Sequence, residues 1–374
     1  MGKIVKITIA ILIFSSFYRI PVQAQDSSYL ESYLYDMEGL EAEMSRIFPD
    51  YHIDLEVMMQ RIMKGEIKEA AADLWNELRR NMNGEFSTIR NLLISILVMG
   101  IVSALFTSLG DLMTGRQIAQ VGFYMIYLLL MALLTRAFQY AAQVTTDTIE
   151  NIITFIRLFV PTYFIAVGTA VGVTTATVSY QFVLVVIYAV EAFMLNALMP
   201  FIYCYMMLSL VNGIWSEDKL TLLLDLIKKG IGFTFKIAIG IITGISFIQS
   251  VITPAIDGVK STGIQKAISV IPGIGDFMEG VAEMIVGSAV LIKNSVGVLL
   301  LLLLLLVCAA PVIKLAMIVL VMKFSAALIG MVSEKRIANG VNRVGDASFL
   351  LLQATFTAVS LFFIIIAIAA YTTR

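Results

Sequence analysis

The sequence predicts an all-α, polytopic helical membrane protein of about seven to eight transmembrane helices, with a cleavable signal peptide and a small extracytoplasmic helical arm. Three observations predict it. The run Val296–Val321 contains the unbroken leucines Leu299–Leu306 and a single charge, Lys314. At 1.5 Å rise per residue it is long enough to cross roughly 30 Å of hydrocarbon. Several comparable runs accompany it. The 374 residues are 59% hydrophobic and 14% charged, against roughly 25% charged in soluble domains.

The net charge of −1 conceals a division along the chain. Residues 1–24 hold Lys3, Lys6 and Arg19 and no acid. Residues 25–87 hold 14 acids against 6 bases, and 88–374 hold 17 bases against 13 acids. An acidic compartment therefore precedes the membrane body.

Residues 1–24 read as a signal peptide: Lys3 and Lys6 form the positive start, Ile7–Phe17 the short apolar core, and Val22-Gln23-Ala24 a small-residue cleavage site. Arg19 and Pro21 keep an uncleaved first anchor as the alternative. Residues 25–87 then lie outside the cytoplasm as an acidic helical arm. Leu55, Met58, Met59, Ile62 and Met63 recur on one helical face, and Ile67, Ala71, Leu74, Trp75 and Leu78 on another. Residues 25–50 read equally as a solvated spacer. The lone histidine, His52, cannot by itself make a metal site.

Residues 88–374 form the multi-span membrane domain. Candidate spans are Thr88–Leu109, Ile118–Tyr140, Ile152–Val173, Val178–Leu198, Phe201–Trp215, Ile231–Ile252, Val296–Met322 and Ser348–Ala370. With eight spans and an external start, the cytoplasmic connections carry Arg116, Lys219, Lys228, Lys229, Lys323, Lys335, Arg336 and Arg343. The external ones carry Lys260, Lys266 and Lys293, as the positive-inside rule requires. Only Pro200 separates the fourth and fifth spans. Merging them would put Lys228 and Lys229 outside, which is the worse account of the charges.

Charges inside apolar runs are the functional candidates, because an unpaired charge in hydrocarbon is costly. Glu191 sits near the centre of its span and is expected to be protonated, paired or facing water. Its candidate charge partners are Arg157, Lys236 and Lys314; Arg136 lies nearer a span end, where it can snorkel. The alternative to structural pairing is a polar lining for a transported substrate or proton. Two spans carry GxxxG, at Gly168–Gly172 and Gly240–Gly244, which permits close helix packing within the chain or between copies.

The long connection 253–295 contains Pro272, Gly273, Gly275 and Asp276, followed by the amphipathic run Phe277–Ile292. Irregular backbone at membrane depth survives only where it is buried in protein or lines water. The segment reads either as a re-entrant hairpin near a path or as a surface helix. Cys204 and Cys308 lie in apolar segments and read as small hydrophobes rather than a disulfide. No phosphate-binding loop, nucleophile elbow, H-E-x-x-H or C-x-x-C is present. No catalytic, cofactor or metal site is expected, nor a nucleic-acid partner. Transport would draw on an ion gradient or a separate ATPase.

The stretch Ile268-Ser269-Val270-Ile271-Pro272-Gly273-Ile274-Gly275-Asp276, then Lys293-Asn294-Ser295-Val296-Gly297, then Cys308-Ala309-Ala310-Pro311-Val312-Ile313-Lys314, resembles the stage III sporulation protein AE family of endospore-forming bacteria. The order of signal, arm and multi-span body agrees with it, although the arm itself adds little to the match.

The resemblance implies a permease-like or export-gate membrane subunit of the channel between mother cell and forespore, needed for forespore development after engulfment. It implies a multi-pass protein of the mother-cell (outer forespore) membrane, not an enzyme. The implied partners are the other stage III A proteins: a separate cytoplasmic ATPase, small membrane subunits and ring-forming proteins, with stage II sporulation protein Q reached indirectly. A non-conducting scaffold that recruits ring subunits and ATPase is the alternative; a stand-alone ion-coupled transporter is another. The family supplies no catalytic residues to carry over.

Overall fold

Every element among the described residues is a helix. The computed structural model describes residues 41, 44–45, 53–82, 85–112, 116–171, 173–214, 219–241, 244, 275–333 and 335–372, all within one unit, Met37–Arg374. The signal peptide, residues 25–40 and the connection 253–274 lie outside them.

Asp54 opens helix α1 (Leu55–Met63) by accepting the Val57 amide at 2.9 Å on its side chain, which satisfies one of the orphan N–H groups of a helix start. Gly65, at φ 82°, closes it. The amides of Gly65 and Glu66 return to the carbonyls of Ile62 and Arg61, a left-handed cap that a side chain would strain. The chain turns at once into α2 (Ile67–Met82), and an Arg61–Asp73 ion pair ties the two helices together.

Leu55, Met58, Met59 and Ile62 are buried, as is the α2 row Ala70, Leu74 and Leu78. The expected α2 stripe is therefore rotated. Leu74 and Leu78 are inside, whereas Ile67, Ala71 and Trp75 are exposed, as is Met63 on α1. Two apolar rows run side by side on α2, and periodicity alone does not say which one meets the neighbours.

The membrane body comprises α3 (Glu85–Leu112), α4 (Arg116–Val171), α5 (Val173–Glu191), a π-helical segment (Ala192–Leu198), α6 (Met199–Asn212), α7 (221–241), α8 (Gly275–Val332) and α9 (Lys335–Thr372). Helices α4, α8 and α9 pack mutually and form the centre. Helix α3 lies on α4 and α8, α5 on α4, and α6 on α9, while both arm helices pack on α8. The core rows are apolar and small enough for close approach: Ala141 and Ala142 from α4, Leu303 and Leu304 from α8, Ala354 and Ala358 from α9.

Among the described residues, five helices are long and apolar enough to cross a membrane: Ser87–Leu105, Val121–Pro161, Val183–Asn212, Asn294–Val332 and Lys335–Ile364. Two expected breaks are absent. Residues 141–151 are polar, but they contain no Gly or Pro, and Thr145 Oγ1 donates back to the Ala141 carbonyl at 3.0 Å. Polarity without a breaker leaves α4 continuous over 56 residues. The fourth and fifth expected spans also join, because the π segment carries the helix past Pro200. The run Phe277–Ile292 belongs to α8 rather than to a separate element. The expected span Ile231–Ile252 begins in α7 and passes out of the described residues.

Neighbouring helices fix relative levels. Along α3, an added Cβ at Gly100 would collide with Ile329 of α8, and Ser333 donates to Ser103 at 3.2 Å. The arm lies at the other end of α3, about 27 Å away at 1.5 Å per residue from Glu85 to Ser103. The end of the body that holds Ile329 and Ser333 is thus opposite the arm.

At that end Tyr127 of α4 donates its hydroxyl to the Leu210 carbonyl at 2.9 Å. Gly213 makes room for it, since an added Cβ would collide with the Tyr127 hydroxyl. Gly213→Ala is therefore expected to destabilise the protein by about 1–3 kcal/mol through overpacking, and adding Tyr127→Phe to restore part of the loss. Denaturant titration of the variants in detergent micelles measures both.

Candidate functional site

Prolines set the geometry of the central charge. Pro161 lies inside α4, and because proline has no N–H, the carbonyl four residues earlier loses its donor. That carbonyl belongs to Arg157. Pro200 stands in the first turn of α6, directly after the π segment, where the Met199 amide reaches back five residues to the Met194 carbonyl. The wider π turn absorbs the proline without a break in the rod.

Glu191 is the last residue before that π segment. Its carboxylate accepts Arg157 Nη2 at 2.6 Å, across from α4 to α5. The Arg157 side chain is 53% exposed and that of Glu191 29%. Of the three candidate partners, Arg157 is the one in contact with Glu191. The ion pair joins the two helices within about a turn of each local disturbance of the backbone ladder. A charge-assisted bond in a low-dielectric setting is stronger than in water and costly to leave half-made. The arrangement can therefore hold two helices together, or release them when the carboxylate is neutralised.

A second polar centre lies at the end opposite the arm. Asp346 of α9 accepts Lys228 Nζ of α7 at 3.1 Å and Lys323 Nζ of α8 at 2.8 Å. Lys323 also donates to the Asn342 side chain at 2.7 Å. Arg336 donates to the Ile214 carbonyl just past the end of α6 and stacks over Phe123 at 4.2 Å, so a cation neutralises a helix C-terminus. Buried Asn212 accepts the Leu220 amide at 2.8 Å and bonds Thr221, which also meets Arg343. Four of the eight basic residues expected on one side of the membrane, Lys228, Lys323, Arg336 and Arg343, converge here. Asp346, which gathers two of them, gave no signal in the sequence beyond being an acid among bases.

The remaining candidates fall elsewhere. Lys236 is exposed on α7, and Lys314 is half-buried on α8. Among the described residues, an added Cβ at Gly240 or Gly244 would meet nothing within 4 Å. Gly168 belongs to α4; Gly172 lies outside the described residues. Gly275 and Asp276 form the first turn of α8, whereas Pro272 and Gly273 also lie outside. Cys204 is exposed and Cys308 buried, both as free thiols. Among the described residues no three His, Cys, Asp or Glu side chains converge as metal ligands do.

A sequence model described as stage III sporulation protein AE matches residues 53–373, taking in the arm helices and the whole described membrane body. The chain belongs to the stage III sporulation protein AE family. Stage III sporulation protein AE of Bacillus subtilis (strain 168) is 21% identical over 239 residues, which is 64% of this chain. The aligned part spans 60% of that relative's own length. No solved structure matches the chain. Family membership places this helical membrane protein among sporulation proteins.

The junction at Asp346 generates a prediction for the family fold. Asp346→Asn leaves two lysines facing each other and is expected to cost about 1 kcal/mol, the scale of a partly exposed ion pair. Adding Lys228→Gln then recovers stability instead of losing more. Denaturant unfolding of the two variants reads the sign.

Proposed function

We propose that the chain is a permease-like or export-gate membrane subunit of the channel complex between mother cell and forespore, required for forespore development after engulfment. The observation that carries this reading is the Arg157–Glu191 pair. It is a half-exposed charge pair between two membrane helices, each with an interrupted hydrogen-bond ladder beside it. Intramembrane ionisable residues are costly and commonly mark substrate or ion pathways, and π segments recur at functional sites.

On this reading the arm lies outside the cytoplasm and the Asp346 end inside it, as the positive-inside rule favours. The protein resides in the mother-cell (outer forespore) membrane and acts without catalysis. Its partners are the other stage III A proteins, among them a cytoplasmic ATPase, small membrane subunits and ring-forming proteins, with stage II sporulation protein Q reached indirectly.

A non-conducting scaffold is the second reading, favoured by the arm, where Ile67 and Trp75 leave an apolar row uncovered by the chain. Reconstitution with the small membrane subunits separates the two: solute flux supports the permease reading, and assembly without flux supports the scaffold. For the site itself, Glu191→Gln is expected to impair forespore maturation at unchanged protein abundance. Normal sporulation in that variant removes Glu191 from the path.

A further inference from the structure

The outward face of α4 changes character part-way along. Val121, Met125, Leu128 and Leu129 are exposed and apolar. On the same face, Arg136 begins a polar row that continues through Gln139, Gln143, Asp147, Glu150 and Thr154 to Arg157, every member exposed. At 100° per residue these seven fall within an arc of about 80°, and they extend about 32 Å along the axis, close to the thickness of a hydrocarbon core. The opposite face, with Phe138, Ala141, Ile149, Ile152 and Ile156, is buried. Of the row, Arg136, Gln139, Gln143 and Asp147 make no side-chain hydrogen bond or ion pair among the described residues.

Neighbouring contacts set this row level with the apolar run of α8. Past its upper end, an added Cβ at Gly297 of α8 would lie 3.4 Å from Tyr163 of α4, and Gly297 begins the apolar run of α8. Below its lower end, an added Cβ at Gly340 of α9 would lie 3.4 Å from the Tyr127 hydroxyl. One and a half turns further along α9, Asp346 takes Lys323, just past the other end of that run. The polar row of α4 therefore lies alongside the leucine-rich run of α8. On that helix Leu305 is 53% exposed, a surface suited to lipid. Unpartnered Gln, Asp and Arg side chains are not.

We infer that the row from Arg136 to Arg157 is wetted at membrane depth and forms one wall of an aqueous path, with the Arg157–Glu191 pair at one end. Asp147 and Glu150 occupy its middle with no base between Arg136 and Arg157, so the wall favours hydrated neutral or cationic solutes over anions. The inference deepens the permease reading and rests on it.

The test uses the full chain in phosphatidylethanolamine/phosphatidylglycerol vesicles, in a Cys204→Ser, Cys308→Ala background. Single nitroxide labels are placed at Gln139→Cys, Gln143→Cys and Thr154→Cys, with Leu305→Cys as the lipid-facing reference. The three row positions are expected to collide with the water-soluble neutral reagent NiEDDA severalfold more often than Leu305→Cys, and less often with oxygen. Three separate sites keep the outcome readable if one variant fails to fold.

Oxygen-dominated labels at the row, like the reference, overturn the inference by placing the row in lipid. Labels reached by neither reagent overturn it too, by placing the row in a protein interface. A Leu305 label as wet as the row overturns it by placing the whole level outside the membrane. Exchanging NiEDDA for anionic chromium oxalate is expected to lower collisions at 143 and 154; equal values strike out the preference against anions. A wet row with normal sporulation in Glu191→Gln leaves this inference standing and removes the Glu191 gate. A dry row with impaired sporulation does the reverse.

Discussion

A charge in hydrocarbon must be neutralised, wetted or drawn to an interface, and that constraint organises the molecule. Three solutions coexist in one chain. Arg157 and Glu191 neutralise each other across α4 and α5. Lys228 and Lys323 share Asp346, and Arg336 sits against the end of α6, where the bundle terminates opposite the arm. The polar row of α4 stays exposed at every member from Arg136 to Arg157. The apolar rows between α4, α8 and α9 complement these polar solutions. With alanines and leucines facing inward, they bring backbones close where lipid offers no hydrophobic incentive to associate.

The backbone obeys the same rule. Each proline in a membrane helix removes a donor that lipid cannot replace. Pro161 strips the carbonyl of Arg157, a residue that already carries the pair's cation. Pro200 is accommodated by widening the preceding turn instead of breaking it. The polar and the conformational irregularities of α4–α6 are therefore adjacent. On the proposed reading, that adjacency would let the charge state of the pair bear on the packing of the two helices.

Much of this was legible in the sequence. The helical class and the apolar membrane helices follow from composition and period, as do the basic residues of which four converge at the Asp346 end, and Glu191 with Arg157 among its partners follows from charges in apolar runs. Two expected breaks between spans are absent for a definable reason. Residues 141–151 lower the hydropathy without offering a breaker, and Pro200 looked like a break because a π turn leaves no sequence signature. The rotation of α2 was hidden because Leu74 and Leu78 belong to the buried row while Trp75 beside them does not. Asp346 was missed because its role arises from Lys228 and Lys323, 118 and 23 residues away. The α4 row could have been found: polar residues recur every three or four positions from Arg136 to Arg157, a period masked by the apolar residues that dominate the same window.

The proposed function rests on one pair of side chains, so exchanging them is the most direct measurement. If the mutual attraction of Arg157 and Glu191 holds the two helices in register, each single reversal, Arg157→Glu or Glu191→Arg, blocks forespore development while the protein still accumulates in the membrane. The double exchange then restores spore formation by at least about tenfold over either single variant, the scale of a coupling free energy near 1.4 kcal/mol. Single reversals that sporulate normally, or a double exchange as defective as the singles, contradict the account.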